Sequence, residues 1–116
     1  MRNEWARKHF TADDIHLLNS KITTAEGAIK WASENLYPSV GKASSFGIED
    51  AAVIDMMVKV NPGFQFFTLD TGFLPKETLD AITMTEDRYG ISVERLKPDP
   101  ERVRQMVEKH GTHLFY

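Results

Sequence analysis

Six residues, Phe64-Gln65-Phe66-Phe67-Thr68-Leu69, constrain this chain more than any other stretch. They form a nearly continuous apolar run, rich in aromatics, between the turn formers Asn61-Pro62-Gly63 and Asp70-Thr71-Gly72. A run of this kind reads as a strand covered on both faces, the habit of a parallel sheet. Parallel neighbours need crossover connections, and helical periodicity on either side supplies them. Upstream, Ala51, Ile54, Met57 and Val58 repeat at helical spacing as far as Lys59. Downstream, Leu79, Ile82, Glu86 and Tyr89 share a stripe, with Pro75 in the first turn and Gly90 as C-terminal cap.

The remaining segments extend the same alternation. Residues 42–46 read as a short first strand and residues 91–96 as a third. Lys97-Pro98-Asp99-Pro100 then gives a turn, with Asp99 as N-cap and Pro100 at the first helical position. Val103, Met106, Val107 and His110 line a last helix that Gly111 closes. Residues 1–10 form an irregular lead-in. Thr11 caps a helix with Asp13 and Asp14 in its first turn, and Ile15, Leu17 and Leu18 supply its buried contacts. Thr23-Thr24-Ala25-Glu26 has capping-box spacing, and Ala25, Ala28, Ile29, Ala32 and Leu36 follow on one stripe. The order is helix, helix, then β-α-β-α-β-α, which predicts an α/β fold with a parallel three-stranded sheet, flanking helices and right-handed crossovers.

A chain of 116 residues is one domain by length. Its net charge of -3 lacks the basic excess of a general nucleic-acid binder. No apolar run approaches a membrane span and the N-terminal residues lack a signal-peptide core, so a cytoplasmic location is expected. There are no cysteines, which removes disulfides, thiolate metal sites, iron–sulfur clusters and a cysteine nucleophile from this polypeptide.

Ligands of open parallel sheets bind beyond the carboxyl ends of the strands. Two loops leave strands at that edge. In Lys42-Ala43-Ser44-Ser45-Phe46-Gly47-Ile48-Glu49-Asp50, two hydroxyls and a glycine let a backbone approach an anion, and the following helix aims unpaired N–H groups at it. Asp70-Thr71-Gly72 offers a carboxylate, a hydroxyl and a glycine for the rest of a nucleotide. Glu49 and Asp50 read as first-turn acids that favour the helix dipole and point away from the ligand, since carboxylates repel an anion unless a cation intervenes. His110 and His113 straddle Gly111 at a helix end and read as dipole-favoured histidines, with no third ligand to make a metal site. His9 and His16 carry no pattern. Trp5, Trp31 and the phenylalanines read as core or subunit contacts.

Ser44-Ser45-Phe46-Gly47-Ile48-Glu49-Asp50, with Asn61-Pro62, Phe67-Thr68-Leu69-Asp70-Thr71-Gly72 and Pro75-Lys76-Glu77-Thr78, resembles the N-terminal half of the adenylyl-sulfate and phosphoadenylyl-sulfate reductases of sulfate assimilation. The ending Lys109-His110-Gly111-Thr112-His113-Leu114-Phe115-Tyr116 resembles the family segment before its arginine-rich loop. The resemblance implies a three-layer, Rossmann-like sandwich of the adenine nucleotide α-hydrolase type. It also implies a modified phosphate loop and a second substrate motif. The substrate-binding set is then Ser44, Ser45, Phe46, Gly47, Glu49, Asp70, Thr71 and Gly72, with no catalytic residue and no metal ligand in this chain. The family reduces adenylyl sulfate or phosphoadenylyl sulfate to sulfite, releasing AMP or adenosine 3',5'-bisphosphate. A late cysteine attacks sulfur, and thioredoxin or glutaredoxin frees the sulfite.

The chain departs from that pattern. Without cysteine it has neither the nucleophile nor the ligands of the iron–sulfur cluster that a full-length relative can carry. It stops before the arginine loop and reads as about two strands short of the family sheet, beside its first strand, leaving an edge that other protein or a second copy would cover. The chain is therefore expected to be an N-terminal portion that binds nucleotide weakly, catalyses nothing alone and forms a homo-oligomer. Two other readings stay open: an ATP-pyrophosphatase-type adenylating enzyme, whose loop usually carries two glycines and Asp-Ser, and a non-catalytic nucleotide-binding or assembly module.

Overall fold

The computed structural model describes residues 10–115. The elements run α1 (Ala12–Lys21), α2 (Ala25–Asn35), β1 (Gly41–Ala43), α3 (Ile48–Val60), β2 (Gln65–Leu69), α4 (Lys76–Tyr89), β3 (Val93–Leu96), α5 (Pro100–His110) and a 3-10 turn (Thr112–Phe115). Contacts divide the chain into two units, residues 1–40 with 56–64 and residues 41–55 with 65–116, and α3 contributes to both. The expectations for Trp5, His9 and the irregular lead-in before Phe10 lie outside the described residues.

The first unit is helical. Thr11 and Asp14 close a reciprocal capping box: Thr11 N donates to Asp14 Oδ2 at 2.8 Å, and Asp14 N donates to Thr11 Oγ1 at 3.2 Å. The backbone bond from Thr11 holds the Asp14 carboxyl below its ordinary pKa. Ile15 and Leu17 are about half exposed, so they are not the buried contacts the pattern predicts; with polar residues around most of α1, its apolar stripe is narrow. The N-cap of α2 is Thr24, whose hydroxyl accepts from Gly27 N at 3.0 Å. Of the two adjacent threonines, the second takes the cap, which places Gly27 rather than Glu26 at the third helical position and leaves no capping box. Met57 and Phe64 are buried, and Tyr37 meets Phe64 edge-on at 6.3 Å.

The second unit holds the sheet. All three strands are parallel, in the order β1-β2-β3, with Lys42 beside Phe66 and Phe66 beside Val93. Sequential order with right-handed crossovers places α3 and α4 on the same face. Tyr89 Oη of α4 donates to Asp55 Oδ1 of α3 at 2.9 Å, and Glu86 of α4 accepts from Val93 N at 2.9 Å and pairs with Arg95 at 3.2 Å. Ile54 and Ile82 are completely buried, alongside Phe66, Thr68 and Val93.

Burial therefore alternates along β2. Phe66 and Thr68 are buried, Phe67 is half-buried and Leu69 is 66% exposed. The expected two-sided cover is not found among the described residues, because both connecting helices lie on one side. The three parallel strands are as predicted, but β1 ends at Ala43 instead of reaching residue 46 and β3 begins at Val93 instead of residue 91; β1 has a sheet neighbour on one side only among the described residues. Gly90, in left-handed geometry, caps α4, and Asp99 with Pro100 opens α5. Met106 is 47% exposed and His110 is exposed, so only Val103 and Val107 of the stripe on α5 are partly covered.

Candidate functional site

The first loop begins as a continuation of the sheet. Ser44 N donates to Phe67 O at 2.9 Å, one residue past the end of β1. The Ser44 side chain is buried, and its Oγ accepts from Phe46 N at 3.1 Å. That bond closes a tight turn in which Phe46 takes φ 64°, a left-handed conformation uncommon for an aromatic residue. The positive φ thus belongs to Phe46, not to the glycine beside it. A Cβ on Gly47 would lie 2.8 Å from Glu49 Oε2 and touch nothing else, so the Glu49 carboxylate lies back over the loop.

Helix α3 starts at Ile48, with its first backbone bond from Ala51 N to Gly47 O at 3.1 Å. The amides of Gly47, Ile48, Glu49 and Asp50 consequently have no intrahelical acceptor and carry the positive end of the helix dipole. Asp50 does not point away, as the sequence suggests. Its Oδ2 accepts from Ser45 N at 2.8 Å and Ser45 Oγ at 2.9 Å, and its Oδ1 meets Lys42 Nζ at 2.5 Å. The Lys42 hydrogen bond, aided by Ser45, holds the Asp50 carboxyl well below the usual carboxylate range against a desolvation that pushes it up. Lys42 thus neutralises that carboxylate, and it also reaches Ala43 O at 2.6 Å.

The second loop leaves β2 with Asp70 N donating to Leu96 O at 2.9 Å, which fastens it to β3. Asp70 Oδ1 accepts from Gly72 N at 2.9 Å, and Thr71 Oγ1 accepts from Phe73 N at 3.3 Å. Gly72 sits at φ 85°, and a Cβ there would meet no atom within 4 Å. Glycine is needed for its backbone freedom, not for space.

Two clefts open at these strand ends. Ser44, Ser45, Asp50, Thr68, Leu74 and Thr78 are among the residues lining one of about 430 Å3. Asp70, Thr71, Gly72, Phe73, Lys97 and Val103 are among those lining another of about 280 Å3. Small-molecule sites run from about 300 to 1,000 Å3, so the first cleft falls within that range and the second just below it. The successive residues Leu69 and Asp70 line one cleft each. Phe46, Gly47 and Glu49 line neither. Thr68, Leu74, Thr78, Lys42 and Lys97 were not singled out from sequence. Lys42, Thr68 and Thr78 stand in the stretches quoted above without a role of their own, and Lys97 is the first residue after β3, at the third strand end of the same edge.

His110 ends α5 and His113 lies in the 3-10 turn; no group of three or more His, Cys, Asp or Glu side chains suited to a metal exists among the described residues. An iron–sulfur cluster is ligated by thiolates, and with no cysteine the chain does not fit one. No helix among the described residues is long and apolar enough to cross a membrane.

The phosphoadenosine phosphosulfate reductase domain family matches residues 40–116, which contain both loops and all three strands. The chain belongs to this family. Among sulfonucleotide reductases, it is 37% identical over 78 residues to adenosine 5'-phosphosulfate reductase of Allochromatium vinosum, covering 67% of this chain and 30% of that protein. It is 35% identical over 107 residues to the enzyme of the same name from Bacillus pumilus, covering 91% and 43%. The chain thus matches less than half the length of these curated relatives. A crystal structure of phosphoadenylyl-sulfate reductase from Candida auris, a phosphate complex, superposes with TM-score 0.74 at 22% identity, over 91% of this chain and 53% of the other. That superposition shows the fold, an α/β sheet of the reductase type.

Proposed function

We propose that this chain is the substrate-binding, N-terminal portion of a thiol-dependent reductase that converts adenylyl sulfate or phosphoadenylyl sulfate to sulfite. The nucleotide leaves as AMP or adenosine 3',5'-bisphosphate. The observation that carries this reading is the pair of strand-end loops in one unit: first-turn amides without intrahelical acceptors beside Ser44, and the Asp70-Thr71-Gly72 turn one residue beyond the cleft that Leu69 lines. Amides and dipole suit the phosphate–sulfate end. The second cleft suits the nucleoside.

Reduction at sulfur needs a thiolate that forms an S–S bond as the S–O bond to the nucleotide breaks, and a dithiol that then releases sulfite and ends as a disulfide. This polypeptide supplies no thiolate. The chemistry therefore falls to a cysteine outside these residues and to thioredoxin or glutaredoxin, in a cytoplasmic and oligomeric enzyme. The isolated chain should bind without turnover. Calorimetric titration with adenylyl sulfate, its 3'-phosphorylated form and ATP tests the assignment. At least one sulfonucleotide should bind more tightly than ATP; tighter binding of ATP than of both would favour an adenylating enzyme instead.

A further inference from the structure

We propose that Asp50, paired with Lys42, is the positioning residue of the first loop: it takes the donors of Ser45 and leaves the oxyanion to Ser44 and the first-turn amides. The inference deepens the sulfonucleotide reading and rests on it for the identity of the ligand.

A serine hydroxyl has a single proton. In this structure the proton of Ser45 goes to Asp50 Oδ2 at 2.9 Å, and the Ser45 amide goes to the same oxygen at 2.8 Å. Ser45 can then face the cleft only with lone pairs, which repel an oxyanion. Ser44 is arranged the opposite way. Its Oγ spends a lone pair on Phe46 N at 3.1 Å and keeps its proton, within the same cleft. Of two adjacent serines with identical chemistry, one is a brace and the other a ligand donor.

A carboxylate in the third position of a helix ordinarily reaches back to the N-cap amide. Asp50 instead reaches Ser45, two residues before Gly47. This longer reach leaves the Gly47 amide without a partner on Asp50 and holds the turn that contains the positive φ of Phe46. Lys42 cancels the charge of Asp50 where it would oppose an anion. Both side chains of the pair are about one-fifth exposed, so solvent screens the pair less than it would one at the open surface.

The test has a ligand-free arm and a binding arm, both on the whole chain. By NMR, the Ser45 amide should exchange about tenfold faster in Asp50→Ala than in the parent, while Gly72 exchanges at the parent rate. Equal Ser45 rates in a folded variant would overturn the clamp. If Asp50→Ala does not fold, Ser45→Ala and Lys42→Met carry the same measurement on the Phe46 amide. In calorimetry with adenylyl sulfate, Ser44→Ala and Lys42→Met should each weaken binding about tenfold, and Ser45→Ala only about threefold. Adenosine should bind all variants alike, which a merely structural loss would not allow. Ser45→Ala costing as much as Ser44→Ala, or Lys42→Met tightening adenylyl sulfate, would overturn the proposal. Failure of the parent chain to bind both adenylyl sulfate and its 3'-phosphorylated form would sink the sulfonucleotide reading, while the exchange rates would still decide the clamp.

Discussion

The two strand-end loops differ in the reach of their braces. In the first, the braces come from a distance: Asp50 reaches back five residues to Ser45 and eight to Lys42. In the second, Asp70 and Thr71 each close a turn over two residues, from Gly72 to Asp70 and from Phe73 to Thr71, as Ser44 does for Phe46 in the first. The first loop therefore depends on the placement of a helix, while the second depends on local backbone geometry. One can be broken by removing a charge, and the other by adding a side chain.

The largest expected effect is the control. Ile82→Ala, at a completely buried position in the layer beneath the sheet, should cost about 2–5 kcal/mol in urea unfolding. Amide exchange in both loops should rise together; a rise confined to one would show that they do not share this core. Gly72→Val should cost about 1–2 kcal/mol, because φ 85° disfavours a β-branched residue, and should loosen only the second loop. Gly72→Asn, tolerant of that region, should recover part of the loss.

A charge-removing change in the first loop, Asp50→Asn, should cost about 1 kcal/mol at neutral pH. Its pH dependence has a definite sign. The folded carboxyl titrates below its unfolded value, so its stabilisation is present above about pH 4 and is lost as pH falls through the folded value. Melting temperatures of parent and variant should differ by a constant amount from pH 8 to 5 and converge in stronger acid. Convergence already at pH 6 would remove the carboxylate from the account. Smallest of all is Gly47→Ala, at well under about 0.5 kcal/mol, because the added methyl meets only the exposed end of Glu49, a flexible side chain that can swing away. A larger loss that Glu49→Ala does not relieve would mean the loop needs glycine for some other reason.

Much of the fold was legible. Pro and Gly punctuation located the turns, and the apolar run located β2. The face that stays open was not, since Phe67 and Leu69 read as core by residue type although Leu69 is two-thirds exposed. Only strand order and crossover hand decide which side the helices cover. At the site, Ser44 and Ser45 were equivalent as letters. Their roles separate only when a carboxylate five residues on is seen to choose one of them. Asp50 itself was misread because first-turn acids usually serve the dipole, and the sequence gives no sign that Lys42 lies within reach. Nothing in the sequence marks Lys97, because the third strand end carries no motif.

Each loop is also tied by its first amide to the strand that follows it in the chain: Ser44 to Phe67 on β2, and Asp70 to Leu96 on β3. On a ribosome these partners emerge in turn. The first loop has its anchor once residue 67 has been made, and the second waits until residue 96. At synthesis rates of about 5–20 residues per second, the interval is on the order of a few seconds. During that time the first loop has its strand partner and the second does not.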